Sequence, residues 1–305
     1  MCRLLRTCGA EAQEFLKGIP PQYVSMARNN RREQPETWPD HEPRLERDME
    51  QMAQRTKQLV LDKITIPATP PRASRARLIE VLRNNLNSCT ATIINGRTGT
   101  GKTTLTANFA RYADRPVSWY KVDAADSDLR VFMEYLFESL SLQRPSIDPE
   151  LQLQLTHCPA SDRAALLAES LVFQLGEGNA EPLLVVIEDL HLVYDADWVV
   201  PFFYRLLSLL PVEVHVLITC RSMPPTPLWR MRSKQTLRVI DEPELAFTLD
   251  ETIEWFKSNG LDERRARSAW VQTNGRSGAL ADFIDRAGSS GTASRNFHPR
   301  LGVLA

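Results

Sequence analysis

The residues able to do chemistry are concentrated in two short stretches and one isolated arginine. GRTGTGKTT, residues 96–104, fits the pattern G-x-x-x-x-G-K-[ST] at Gly96, Gly101, Lys102 and Thr103. Glycines at this spacing, with Gly99 between them, let the backbone of Arg97, Thr98, Thr100 and Thr104 turn tightly, so that successive N–H groups point inward at a β-phosphate. A helix opening near Lys102 adds its positive N-terminal end. Lys102 then serves as a mobile point charge for the β- and γ-phosphates, and the Thr103 hydroxyl ligates Mg²⁺. The alternative, a glycine-rich turn carrying a surface lysine, gives no reason for a hydroxyl at position 103.

LLVVIEDLH, residues 183–191, is the second stretch. An apolar run ending in acid places Glu188 at the carboxyl end of a buried strand, where open parallel sheets bind ligands. A carboxylate there is costly unless it meets a cation, so Glu188 is expected beside the metal and Asp189 beside the attacking water. Compared with an Asp-then-Glu order, the metal arm is longer by a methylene and the water arm shorter. Misplacement of about an ångström can cost on the order of a hundredfold in rate, so hydrolysis should suffer more than metal binding, and reversing the pair should raise turnover. His191 reads as a loop or helix-start histidine. Arg221, in ITCRSMPP, follows an apolar strand and can stabilise charge on a transferring γ-phosphate; a surface arginine closing the strand is the rival reading.

These groups need a scaffold, and the flanking pattern supplies one. Strands are expected at TATIIN (90–95), VSWYKV (117–122), LLVVI (183–187) and EVHVLITC (213–220). Helices are expected from Lys102 to about Tyr112, through LRVFMEYLFESL, within 149–175 and through WVVPFFYRLLSLL. Short apolar runs alternating with helical patterns argue for an α/β fold, a parallel sheet covered by helices. Beyond Thr248 the pattern is wholly helical, with Gly260 and Gly275 as stops, and reads as a small helical lid over 249–287. Residues 64–248 form the phosphate-binding domain. Residues 1–63 form an N-terminal extension with a proline-bearing linker and one amphipathic helix through RLERDMEQMAQRTKQLVL, and 288–305 form a flexible tail.

Composition excludes several classes. The 305 residues carry a formal net charge of -1, which gives no polycationic bias toward nucleic acid or anionic membrane. No apolar run approaches the roughly 18 residues needed to span a bilayer, and the charged residues among the first 16 interrupt any secretory signal. Five scattered cysteines argue for reduced thiols. A cytoplasmic protein is expected.

The ordered series KITIPATPPRASRARLIEVL, the phosphate loop, VSWYKVDAADSDLRVFMEYLFESL, VVIEDLHLV, VLITCRSMP, ELAFTLDETIEWF and TNGRSGAL resembles the nucleotide-binding core of the large LuxR-type regulators related to the maltose-regulon activator, members of the signal-transduction ATPases with numerous domains (STAND). The resemblance covers residues 60 to about 287. It implies a P-loop NTPase fold with a helical lid, ATP and Mg²⁺ as ligands, and a switch between ADP-closed and ATP-open forms. It also implies that Arg75 and Arg77 lie near the nucleoside. Asp123 and Asp126 stand where the family has an acidic cluster, with helix capping as the alternative to a role near magnesium. The family's winged-helix, sensor-repeat and DNA-reading segments are not expected here, so no direct DNA binding is expected from this chain. The expected function is an ATP/ADP-binding module with slow Mg-dependent ATPase activity, acting as a regulatory switch with a protein partner or by self-association. Two alternatives stay open: a non-hydrolysing ATP-binding interaction protein, and a small-molecule P-loop kinase using the arginines of DERRAR, residues 262–267.

Overall fold

The computed structural model describes residues 61–68, 73–147, 160–177, 181–234 and 236–292. The expected amphipathic helix, the linker before it and the tail beyond Thr292 lie outside the described residues.

Five parallel strands form one sheet: β1 (Ala91–Asn95), β2 (Val117–Lys121), β3 (Leu183–Glu188), β4 (Val214–Cys220) and β5 (Leu237–Ile240), in the order β2-β3-β4-β1-β5. β3 and β4 are buried along their whole length, which is why each reads as an unbroken apolar run rather than an alternation. Strand β4 stands between the loop-bearing β1 and the acidic β3. Its register aligns Cys220 with Asn95 on one side and Ile218 with Ile187 on the other, so the carboxyl ends of all three strands come level.

Helices cover both faces. Ile94, Trp119, Leu184, Val186, Leu217 and Ile240 lie on one face of the pleat and pack with Leu78, Leu82 and Leu86 of α1 (Ala76–Ser88) and Leu105 and Phe109 of α2 (Lys102–Arg111). Trp119 and Tyr120 are adjacent in β2 and so point to opposite faces. Tyr120 enters an aromatic layer in which Phe132 of α3 (Leu129–Ser141) meets Trp198 at 4.6 Å and Phe202 of α5 (Val199–Leu209) at 5.9 Å. α4 (Ala160–Gly176) lies between α3 and β3 in sequence, and α6 (Thr226–Trp229) between β4 and β5.

After β5 the short α7 (Glu242–Leu245) leads to three helices, α8 (Leu249–Ser258), α9 (Glu263–Thr273) and α10 (Ser277–Thr292). They enclose a second cluster of Phe247, Trp255, Phe256, Ala266, Ala269 and Leu280. Thr248 and Glu251 form a reciprocal capping box that starts α8. Gly275 has φ +73°, and a Cβ there would lie 2.2 Å from the Phe247 carbonyl oxygen; its own carbonyl accepts from Phe247 N at 2.8 Å. Only glycine fits this approach.

Four features differ from the sequence reading. β5 was not anticipated, because LRVI is four residues long with Arg238 exposed, too short to show a period. Helix α1 was not anticipated as an element either. α10 runs to Thr292, past residue 288, where the tail was expected to begin. Lys63, assigned to the N-terminal extension, is buried: its Nζ meets the fully buried Asp126 at 2.6 Å and lies 4.0 Å from the centre of the Tyr135 ring.

Candidate phosphate-binding site

The loop from Gly96 to Lys102 joins the carboxyl end of β1 to the start of α2. It is tied to the neighbouring strand by Gly96 N, which donates to Cys220 O at 3.1 Å. Gly99 and Gly101 adopt φ of +79° and +82°, the left-handed conformation that fits glycine best. Gly101 is the N-cap of α2, so the first turn of the helix opens onto the loop. Thr100 closes it from within, its hydroxyl donating to Arg97 O at 2.8 Å. Thr104 is half-buried on the first turn of α2.

Lys102 is buried, and its Nζ donates to Gly96 O at 2.5 Å and Arg97 O at 3.1 Å. The ammonium thus lies along the loop's inner carbonyls. Burial lowers its pKa, while the nearby Asp189 carboxylate pulls the other way.

The Thr103 hydroxyl donates to Glu188 Oε1, bringing together the two residues expected to hold a metal. Glu188 is 1% exposed, and its Oε2 is buried without a hydrogen-bond partner. Burial raises its pKa, and the Thr103 bond partly offsets that rise. A desolvated carboxylate with a free oxygen beside a hydroxyl is an all-oxygen donor pair, which suits a hard divalent cation such as Mg²⁺.

Asp189 sits at φ +59°, a left-handed conformation that short polar side chains tolerate. Its N–H donates to the buried Thr219 hydroxyl at 3.0 Å, which fixes the turn after β3 to the end of β4. Its carboxylate faces Arg221 Nε at 3.5 Å and His191 Nδ1 at 3.8 Å. Sequence reasoning brought Asp189 and Arg221 to one site but did not anticipate their pairing. His191 lies in a 3-10 turn, Leu190–Val193, and burial lowers its pKa.

Two further groups grip the loop from outside. Glu242, the first residue of α7, accepts from the Arg97 side chain at 2.7 Å and from Arg97 N at 3.1 Å. These bonds hold its carboxyl down at about 2. From the other side, Arg276 Nη2 donates to Thr98 O at 3.0 Å, and Gly99 O accepts from Ser277 Oγ at 3.0 Å and from Gly278 N at 2.8 Å. The N-terminus of α10 is therefore seated on the loop. Glu242, Arg276 and Ser277 were missed as site residues, although TNGRSGAL was noted for its family likeness; no local signal marks a residue that touches the loop only through the fold.

Arg75 and Arg77 do not stand free for a nucleoside. The Arg75 guanidinium is buried 4.0 Å from the Phe247 ring centre and donates to Leu245 O, while Arg77 donates to Ala246 O at 3.0 Å and Glu244 O at 3.1 Å. Both fasten the start of α1 to the chain leading into the lid. Asp123 and Asp126 take the capping alternative: they form the capping box of the 3-10 turn Ala124–Ser127, and both pair with Lys63. The DERRAR arginines are exposed on α9, with Arg267 paired to Glu263 and Arg265 near Asp262.

No family model matches the chain. Over 168 residues it is 29% identical to the HTH-type transcriptional regulator MalT of Vibrio cholerae, covering 54% of this chain and 18% of that protein. Over 228 residues it is 27% identical to the serine/threonine-protein kinase PknK of Mycobacterium tuberculosis, covering 70% of this chain and 20% of that protein. The chain spans about a fifth of the length of the curated relatives it matches. Among solved structures, the Walker-type ATPase of Pyrococcus abyssi overlaps with a TM-score of 0.42 at 14% identity, covering 74% of this chain and 72% of the other. The chain is a parallel α/β module with a G-x-x-x-x-G-K-[ST] loop, similar in sequence to part of the MalT regulators. Among the described residues, no helix is long and apolar enough to cross a membrane.

Proposed function

We propose that this protein binds ATP with Mg²⁺, hydrolyses it slowly, and uses the bound nucleotide to set the position of its helical lid. The observation that carries the reading is the Thr103 hydroxyl bonded to a buried Glu188 whose second oxygen has no partner, at the mouth of a glycine loop that opens a helix. In this reading the loop amides and Lys102 hold the phosphates, and Thr103 and Glu188 hold the metal. Bound there, Mg²⁺ would neutralise charge on the phosphate oxygens. Asp189 orients the water, and Arg221 neutralises charge on the terminal phosphate.

The expectation of slow turnover draws support from Asp189, whose carboxylate faces the Arg221 guanidinium at 3.5 Å and the His191 imidazole at 3.8 Å, the latter kept toward its neutral form by burial. A water-orienting acid engaged in this way must release a partner before it acts. The same observation favours a second reading, a protein that holds ATP without turning it over. The switch role draws support from the seating of α10 on Thr98 and Gly99, since a ligand occupying the loop acts directly on the residues that seat the lid. A protein partner or a second copy of the chain would then read the lid position.

The test is phosphate release by purified protein with ATP, with and without Mg²⁺, run beside limited proteolysis of the lid in ADP and ATP. Metal-dependent release well below the roughly 10 per second typical of enzymes, with nucleotide-dependent cleavage of the lid, supports the reading. Binding with no release supports the second reading, and no binding of either nucleotide overturns both.

A further inference from the structure

Two side chains converge on one oxygen of the Asp189 carboxylate: Arg221 Nε stands 3.5 Å and His191 Nδ1 3.8 Å from Oδ1. They are held differently. The Arg221 side chain is 47% exposed, and an ion pair with a half-exposed arginine is weak and exchanges readily. The His191 side chain is 13% exposed, and the 3-10 turn Leu190–Val193 fixes its direction. Leu190 and Val193 anchor that turn in the core, and Leu192 N closes it on Asp189 O at 3.1 Å. Among the described residues, the buried Nδ1 of His191 has no hydrogen-bond partner. Buried polar atoms are almost always paired. The acceptor that faces this one is Asp189 Oδ1, beyond the roughly 3.2 Å limit of a hydrogen bond and within reach of a small rotation of the carboxylate.

We propose that His191 is a positioning residue for Asp189: when Arg221 leaves for the terminal phosphate, the Nδ1–H of His191 takes over Oδ1 and holds the carboxylate on the attacking water. The inference rests on the reading of Asp189 as the water-orienting acid and Arg221 as the group that neutralises the phosphate. The planar fork of an arginine matches phosphate oxygens, so a bound triphosphate draws Arg221 away from Oδ1. The carboxylate then has one remaining neighbour to fix its rotation, and a misplacement of about an ångström can cost on the order of a hundredfold in rate. A neutral imidazole suits this task. It donates one hydrogen bond through Nδ1–H, leaves the charge of the carboxylate in place and leaves Oδ2 for the water. Burial favours the neutral ring, as do the charges of Arg221 and Lys102, against the opposing pull of Asp189.

The experiment measures steady-state phosphate release and the thermal shift given by Mg-ATP, on the full chain, for the wild type and for His191→Leu, His191→Gln and His191→Asn. His191→Leu should lower kcat about tenfold, the worth of one hydrogen bond, with KM and the thermal shift unchanged. His191→Asn places an amide N–H where Nδ1 stood and should recover most of kcat. His191→Gln, whose amide reaches the Nε2 position instead, should match His191→Leu. In an Asp189→Asn background, His191→Leu should cost less than about twofold further, because the ring acts only through that carboxylate. Wild-type kcat in His191→Leu, His191→Asn no faster than His191→Gln, or a full tenfold loss in the Asp189→Asn background overturns the inference alone. If His191→Leu does not fold, the comparison of His191→Asn with His191→Gln decides by itself. Wild-type protein that binds Mg-ATP and releases no phosphate overturns the hydrolytic reading and this inference with it.

Discussion

The Thr103 hydroxyl donates to the Glu188 carboxylate across 85 residues of sequence, joining the first turn of α2 to the end of β3 over the intervening strand β4. That contact places the proposed metal site beside Lys102 and fixes what the first variants should do.

Lys102→Ala should remove most of the stabilisation that Mg-ATP gives the wild type. A ligand at about a hundred times its dissociation constant, binding only the folded state, adds roughly 2.7 kcal/mol. Thermal melts with and without Mg-ATP read the difference, and equal shifts in the two proteins would remove the phosphate-loop assignment.

The reversed acid pair is now better tested one residue at a time. Asp189 sits at φ +59°, so placing Glu there adds backbone strain of about 1–2 kcal/mol on top of any catalytic change. Asp189→Asn keeps a side chain that tolerates this conformation. It should change stability by less than about 0.5 kcal/mol and lower ATP turnover on the order of a hundredfold, with ATP affinity nearly unchanged. Turnover equal to wild type would show that Asp189 does not orient the water.

Gly275→Ala should loosen the lid severely. The new Cβ would meet Phe247 O at 2.2 Å in a backbone conformation with φ +73°, and such sites destabilise by about 1–3 kcal/mol or more. The readout is protease sensitivity of residues 249–287 against the sheet domain. An unaltered digestion pattern means that the Phe247 and Gly275 backbones can part freely.

Stability should fall as the pH drops from about 6.5 to 4, the window set by His215. Its Nδ1–H donates to Cys89 O at 2.9 Å and its Nε2 accepts from Thr92 Oγ1 at 3.1 Å, the pattern of a neutral ring, and burial lowers its pKa to about 4. A folded pKa below the unfolded value near 6.5 gives stability that is fully present above pH 6.5 and lost as the unfolded chain takes up a proton. The loss is about 3 kcal/mol by pH 4. Denaturant midpoints across this range should flatten in His215→Gln; an identical slope in the variant assigns the loss to other groups.

Asp126→Ala should destabilise by about 3–5 kcal/mol, because it leaves the buried Lys63 ammonium without its closest carboxylate. Mg²⁺ dependence of nucleotide binding in the surviving folded protein should match the wild type. A weaker metal dependence would restore the acidic cluster to the nucleotide site, against its pairing with Lys63.

The sequence by itself determined what depends on neighbours along the chain. The glycine loop, the strand before it and the helix after it were legible because glycine conformation, apolar runs and helical spacing are local properties. Glu188 was legible because an acid ending an apolar run is costly without a cation. The tertiary structure decided what depends on which strand ends come level. Strand order put Asp189 within reach of Arg221, and it brought Glu242, just beyond β5, onto Arg97. The fold of the lid carried Ser277 and Gly278 back onto Gly99, 178 residues earlier for Ser277, and turned Arg75 and Arg77 toward the lid connection. No window of sequence encodes those pairings, because each is a contact between elements whose separation in space is fixed only when the sheet and the lid have both formed.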